Sequence, residues 1–283
     1  MNALTGTYEL NGGTTIPKLG FGTWLLKEGD ECYHAVAAAL EAGYRHIDTA
    51  RAYHNEASVG RAVRDSGIPR EEIFITSKVP AESKSYDAAV EQFGITMAEI
   101  GLDYLDLLLI HAPWPWDQRG KDCREENKEV WRAMEEFLAS GRVKAVGVSN
   151  FTRADLESLL PACTTVPAVD QIQWYIGLDV ADTVAACAEH GIVVEAYSPF
   201  AHGRIVNHPD IVDMGRRYEV TAPQLSLRYL LQKGAVPLPK ATTRDHILAN
   251  AEVDFEISDA DMATLDTMHD TESHPLAANF RWS

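Results

Sequence analysis

Residues 44–56 read YRHIDTARAYHNE, and the placement of polar groups in that stretch decides how the chain is read. A short apolar step, 45–48, ends in the carboxylate of Asp48; residues 49–52 lead away from it, and the phenol of Tyr53 follows five residues after the carboxylate. Two later apolar runs close in the same way, IFITSK on Lys78 and LDLLLIH on His111. If these runs are neighbouring strands of one parallel sheet, Asp48, Tyr53, Lys78 and His111 converge at a single rim.

Outward from that stretch the chain alternates short apolar strands with helical patterns. Strands are expected at residues 19–23, 45–48, 73–78, 105–111, 143–148, 168–171, 193–197 and 236–238. Helical spacing of apolar residues covers 30–42, 55–66, 87–100, 125–140, 153–160, 180–189, 222–232 and 243–249, with stops at Gly141, Pro161, Gly191 and Gly234. Most strand-plus-helix units are about 25 to 35 residues long, the size of a βα repeat, so the α/β class and a closed (β/α)8 TIM barrel are expected, with residues 1–283 as one domain. A β-hairpin, 8–10 with 15–16 about Asn11-Gly12-Gly13, precedes the barrel. A further helix at 259–268 and an aromatic tail at 279–282 follow it. The rival doubly wound dinucleotide fold has one trace, GFGTWL at 20–25, which lacks the third glycine, and no acidic residue ends a second strand about 20 residues on in the expected helix context.

Composition narrows the function. Hydrophobic residues at 46% and charged residues at 24% suit an ordinary globular core, and no apolar run approaches the roughly 18 to 20 residues that span a bilayer. No basic-then-apolar leader opens the sequence, and the four cysteines have no paired spacing, so a cytoplasmic, reduced setting is expected. A net charge of −17 argues against nucleic acid and anionic membrane as partners, since binding a phosphate polymer needs a basic face. A monomer acting on a small-molecule carbonyl substrate is the expectation, and the ten histidines show no metal-ligand spacing, so no metal is expected.

At strand ends of such a barrel the four ionisable residues form a proton-delivery unit. A tyrosine is a poor acid near neutrality, and an adjacent ammonium, from Lys78, lowers its pKa. Asp48 would hold Lys78 charged and oriented, and His111 would hydrogen-bond a substrate oxygen. Such a set suits protonation of a carbonyl that is receiving a hydride. Each residue also has a structural reading: Asp48 as a helix cap or ion-pair partner, Lys78 as a solvated strand end, Tyr53 as a loop residue, His111 as core.

The blocks GFGTW, HIDTARAYHNE, IFITSKV, LLLIHAP, GRVKAVGVSNF, VDQIQW, VEAYSPF and VPLPKATTRDHI, in that order over residues 10–268, resemble the aldo-keto reductases, in particular the prokaryotic group that includes 2,5-diketogluconate reductases. The resemblance implies a (β/α)8 barrel using NADPH or NADH, with a catalytic tetrad on Asp48, Tyr53, Lys78 and His111. It also implies that Ser149, Asn150 and Gln171 bind the nicotinamide carboxamide, that Tyr197 stacks on its ring, and that Ser198, Pro199 and the loop from Phe200 to Ile205 cover the pyrophosphate. Thr23 and Trp24 join the cofactor set, as do Lys240, Ala241, Thr242, Arg244, His246 and Asn250 at the adenosine end. Ser149-Asn150 could instead cap the helix that follows.

Two regions depart from the family pattern. NADPH-preferring members carry Lys-Ser, an Arg six residues after the Lys, and then Glu-Asn; here Lys240 is kept, but Ala241, His246 and Ala249 replace the Ser, Arg and Glu. A lost guanidinium contact weakens NADPH binding by about one to two decades, so NADPH with NADH as a second donor is expected, Arg244 being the candidate to compensate. Where many members have Trp after the catalytic His, this chain has Ala112 and then Pro113-Trp114-Pro115-Trp116. Trp24, Tyr53, His111, Trp114 and Trp116, with Phe280 and Trp282 of the tail, are the candidate substrate walls, and no Arg stands in an obvious pocket position. Two other functions fit parts of the pattern: a nicotinamide-binding sensor with little turnover, and an aldolase using Lys78 as a Schiff base.

Overall fold

The computed structural model describes residues 3–269. Eight parallel strands form one sheet in the order β3 (Phe21–Gly22), β4 (His46–Asp48), β5 (Phe74–Val79), β6 (Leu105–Ile110), β7 (Val143–Ser149), β8 (Val169–Gln173), β9 (Val193–Tyr197) and β10 (Val236–Leu238). Gly20 and Gly22 donate their amides to the carbonyls of Pro237 and Pro239 at 3.1 and 3.0 Å, which joins the first strand to the last and closes the barrel. Glycine is needed at position 20, because a Cβ there would stand 2.5 Å from Leu238 and 2.7 Å from His46.

Helices α1 (Asp30–Glu41), α2 (Glu56–Asp65), α3 (Tyr86–Ile100), α4 (Arg124–Ala139), α5 (Arg153–Leu159) and α6 (Ala181–Glu189) each return the chain to the next strand. α7 (Pro209–Arg217) and α8 (Ala222–Gln232) do so together between β9 and β10, and α9 (Arg244–Ala251) and α10 (Asp259–Asp266) follow. The sequence reading omitted α7, whose first residue is a proline and which contains Gly215; a Cβ at that glycine would stand 2.8 Å from the Val220 carbonyl, a tertiary constraint invisible in the sequence. Helix starts follow local chemistry. Ser85 caps α3, and Thr152 and Asp155 form a reciprocal capping box on α5. Ser149 and Asn150 are therefore not the cap of α5.

The hairpin pairs β1 (Thr7–Glu9) with β2 (Thr15–Pro17), one residue off the predicted strand limits, and it plugs the barrel floor. Its Leu10 and Ile16 pack with Phe74, Leu107, Leu109, Val169, Val236 and Leu238 in an apolar layer. The polar side chains collect above that layer, at the strand C-termini. Among the described residues no helix is long and apolar enough to cross a membrane, and no cluster of His, Cys, Asp and Glu could hold a metal. The tail residues Phe280 and Trp282 lie outside the described residues.

Candidate active site

Asp48 ends β4, Lys78 lies one residue before the end of β5, and His111 follows β6, so three adjacent strands bring the three side chains together. Register enforces this: Asp48 pairs with Thr76 across β4 and β5, and Lys78 with Leu109 across β5 and β6. Tyr53 arrives from a single turn of 3-10 helix, Arg51–Tyr53, which is closed by His54 at a left-handed φ of 55°.

The Lys78 ammonium is fully buried and donates to both oxygens of Asp48, at 2.8 and 2.7 Å, and to the Thr49 carbonyl at 2.9 Å. Its contact to the Tyr53 hydroxyl is longer, 3.4 Å. The lysine is thus held mainly by the carboxylate, with the phenol at its edge. The expected lowering of the Tyr53 pKa is not what the structure shows. Burial first, then the charges of Asp48 and Glu195, hold the phenol well above its usual range. Tyr53 is half-buried and lines the cleft.

His111 packs edge-on against Tyr53 and Trp116, with ring centroids 5.6 and 5.3 Å away. Burial, reinforced by Lys78, presses its pKa well below normal, so the imidazole is neutral. Its Nδ1 is sealed from solvent without a hydrogen-bond partner. An orphaned buried N–H is rarer than an orphaned acceptor, which assigns the proton to Nε2, the nitrogen left to face the cleft.

The opposite wall comes from β7, β8 and β9. Gln171 spends both amide hydrogens on carboxylates, Asp48 Oδ2 at 2.9 Å and Glu195 Oε2 at 2.8 Å. Its Oε1 receives no hydrogen bond from the described residues and is not sealed. Asn150, at a left-handed φ of 62°, donates to Ser149 Oγ at 3.0 Å and to the His111 carbonyl at 3.1 Å, and accepts from the Tyr197 hydroxyl at 2.7 Å. The Ser149 hydroxyl donates to the Gln171 carbonyl at 2.8 Å. The donors of this wall are therefore consumed internally, and what remains is lone pairs on Gln171, Asn150 and Ser149. An acceptor-lined wall fits the two N–H groups of a primary carboxamide such as that of a nicotinamide.

These walls enclose a cleft of about 440 Å³ lined by Trp24, Asp48, Tyr53, His111, Trp116, Ser149, Asn150, Gln171, Tyr197, Ser198, Pro199, Phe200, His202 and Lys240. Several expected residues stand elsewhere, His246 and Asn250 among them. Thr23 is buried behind the cleft, its hydroxyl 3.0 Å from the Asp48 carbonyl, and serves the fold. Trp114 is one ring removed, 5.2 Å edge-on to Trp116. Ala241 is buried, and Thr242 and Arg244 line a separate surface groove with Asp30, Glu31 and His34. Arg244 donates to Glu41 at 2.7 Å, so the cation expected to compensate at the adenosine end already has a partner. Two groups were missed by the sequence reading. Glu195 was signalled only by an acid inside the apolar run VVEAY, and the Arg119 guanidinium sits 5.1 and 5.7 Å from the Trp114 and Trp116 ring centres.

The aldo/keto reductase family model matches residues 18–270. An aldehyde reductase of Saccharomyces cerevisiae is 38% identical, over 98% of this chain and 95% of its own length. A glyoxal reductase of Bacillus subtilis is 37% identical over 95% of each. The crystal structure of a Bombyx mori aldo-keto reductase in complex with NADP superposes with a TM-score of 0.83 at 33% identity, covering 92% of each chain.

Proposed function

The chain belongs to the aldo/keto reductase family and is an NAD(P)H-dependent oxidoreductase, and from that premise we propose that it reduces a small aldehyde, ketone, dicarbonyl or keto-sugar to the alcohol, using NADPH and accepting NADH. The observation that carries this reading is the meeting of an ammonium, a phenol and a neutral imidazole at one cleft, with Lys78 Nζ 3.4 Å from the Tyr53 hydroxyl.

When bound, the nicotinamide supplies the hydride. The chain's own residues do the rest. His111 donates from Nε2 to the carbonyl oxygen and fixes its position; being neutral, it polarises that oxygen without surrendering its proton. Tyr53, kept protonated by its buried surroundings, transfers its hydroxyl proton to the oxygen as negative charge develops there. Lys78 stabilises the phenolate left behind, and its loose contact to the hydroxyl tightens as that charge forms. Gln171, Asn150 and Ser149 orient the carboxamide, and Trp24 and Trp116 exclude water from the reacting side.

Of the two other readings, the aldolase requires a neutral amine on Lys78. That nitrogen is bound by both oxygens of Asp48 and by a carbonyl, which favours the ammonium. A sensor without turnover has no use for a proton donor held between an ammonium and a cleft. At the adenosine end, Ala241, the exposed His246 and the Arg244–Glu41 pair support relaxed discrimination between the two nicotinamide donors. The test is a screen of NADPH and NADH oxidation over aldehydes, α-keto esters, dicarbonyls and keto-sugars, with Tyr53→Phe as the control. Turnover abolished in that variant supports the reading; no oxidation with any carbonyl removes it.

A further inference from the structure

The reaction as described uses four ionisable residues, yet β9 brings a fifth into the same cluster. Glu195 is fully buried two residues before Tyr197, on the same face of the strand. Its Oε2 takes one hydrogen of the Gln171 amide at 2.8 Å while Asp48 takes the other at 2.9 Å, so a single NH2 group bridges two carboxylates. Its Oε1 has no hydrogen bond; His46 Nε2 stands 3.4 Å from it and lies 3.0 Å from the Thr76 hydroxyl. The cation facing it is Lys78, and both Asp48 oxygens already claim that ammonium.

We propose that Glu195 is a positioning residue for the proton donor: joined to Asp48 through the Gln171 amide, it adds a second negative charge to the cluster when ionised and withdraws it when protonated, and so sets how tightly Tyr53 holds its proton. This rests on the carbonyl-reduction reading, in which Tyr53 is the acid.

The groups around Glu195 leave it little alternative. His46 cannot balance the charge, since burial and then Lys78 hold its pKa down to about 3 and the ring stays neutral. Burial, and next the charge of Asp48, push Glu195 up to about 8, so Glu195 gives up its proton within the range of ordinary assays. Below that point the cluster of Asp48, Lys78 and Glu195 is neutral; above it the net charge is −1, and the added charge opposes formation of the Tyr53 phenolate. Donation to the carbonyl oxygen is therefore easier on the acid side and harder on the alkaline side.

Glu195→Gln keeps an acceptor for the Gln171 amide and removes the charge. With saturating NADPH and aldehyde, wild-type kcat falls about three- to tenfold from about pH 7 to about pH 9, and the variant lacks that limb, exceeding the wild type at the alkaline end. A second readout needs neither turnover nor a variant: carbon NMR of glutamate-labelled wild-type protein follows the Glu195 carboxyl directly. Titration near an ordinary carboxylate value, about 4.3, overturns the proposal, as does an alkaline limb that survives unchanged in Glu195→Gln. If no carbonyl is reduced at any pH, the reductase reading falls. In that case ultraviolet titration of the Tyr53 phenolate, identified by difference from Tyr53→Phe, still decides the coupling: a phenol that ionises more readily in Glu195→Gln supports it, and equal titration overturns it.

Discussion

Replacing Lys78 by methionine tests the geometry at its most buried contact. The ammonium is 0% exposed and the Asp48 side chain 5%, with the closer N–O distance 2.7 Å, so the substitution leaves a desolvated carboxylate facing a methyl group. Removing one partner of a buried ion pair costs roughly 3–5 kcal/mol. Asp48 keeps one neutral donor, the Gln171 amide, which places the loss at the lower end of that range. The deficit must also depend on pH in a fixed direction. Without the lysine the ionised carboxylate is buried without a cation, a cost that its protonated form escapes, so the deficit is smaller on the acid side and grows as pH rises. Urea unfolding followed by circular dichroism at about pH 5.5 and about pH 8 should show the Lys78→Met deficit widening at the alkaline pH. The double variant Asp48→Asn with Lys78→Met should be less destabilised than the sum of its singles, since it leaves no unpaired charge. A deficit equal at both pH values, or strict additivity, refutes the idea that Asp48 and Lys78 neutralise one another in the folded protein.

Tyr53→Phe should lower kcat by roughly 10² to 10⁴ while cofactor affinity, measured by fluorescence titration, stays within about twofold; wild-type turnover would remove Tyr53 from the role of acid. Glu41→Ala should release Arg244 and raise kcat/KM with NADPH by about two- to fivefold, the modest scale of an exposed pair, with the NADH value unchanged; an equal rise with both donors would place the effect away from the 2′-phosphate. Two glycine replacements should act in opposite directions on Tm by calorimetry. Gly60→Ala brings a Cβ to 1.7 Å from the Ile100 carbonyl and should cost roughly 1–3 kcal/mol or more, whereas Gly94→Ala in α3 meets nothing within 4 Å and should stabilise by about 0.5–1 kcal/mol. A Gly60→Ala protein as stable as the wild type would mean that the contact between α2 and α3 yields more than its backbone geometry implies.

What the sequence made legible was whatever repeats with strand period or punctuates it. The strand ends at Asp48, Lys78 and His111 were readable because an ionisable group closing an apolar run is a local pattern, and β-sheet register then carries it to one rim. Glu195 carried a weaker mark, one acid within VVEAY, and only the crossing of β8 and β9 reveals that the Gln171 amide ties it to Asp48. The direction of the Tyr53 shift was misread for a related reason. Sequence shows a lysine that could assist a phenol; it cannot show that the phenol is desolvated, nor that Glu195 joins Asp48 in placing negative charge beside it. Helix α7 was hidden by Pro209 and Gly215, which suit a loop in isolation and become a helix start and a close-packing point in the folded chain.

The division of the barrel rim gives those residues a common logic. The strands β4, β5 and β6 supply the ammonium, its carboxylate and the imidazole; β7, β8 and β9 supply a wall whose donors are spent and whose lone pairs remain. A direct hydrogen bond between the two halves runs from the amide nitrogen of Gln171 to Asp48 Oδ2. A carboxylate placed behind that amide therefore acts on both halves at once. It fixes which end of Gln171 faces the cleft, because turning the amide over would set its oxygen against Asp48 and Glu195 together. It also places a removable charge at the foot of the proton donor. Asp48 alone would orient the amide through one hydrogen; the second carboxylate is what makes that orientation carry information about pH.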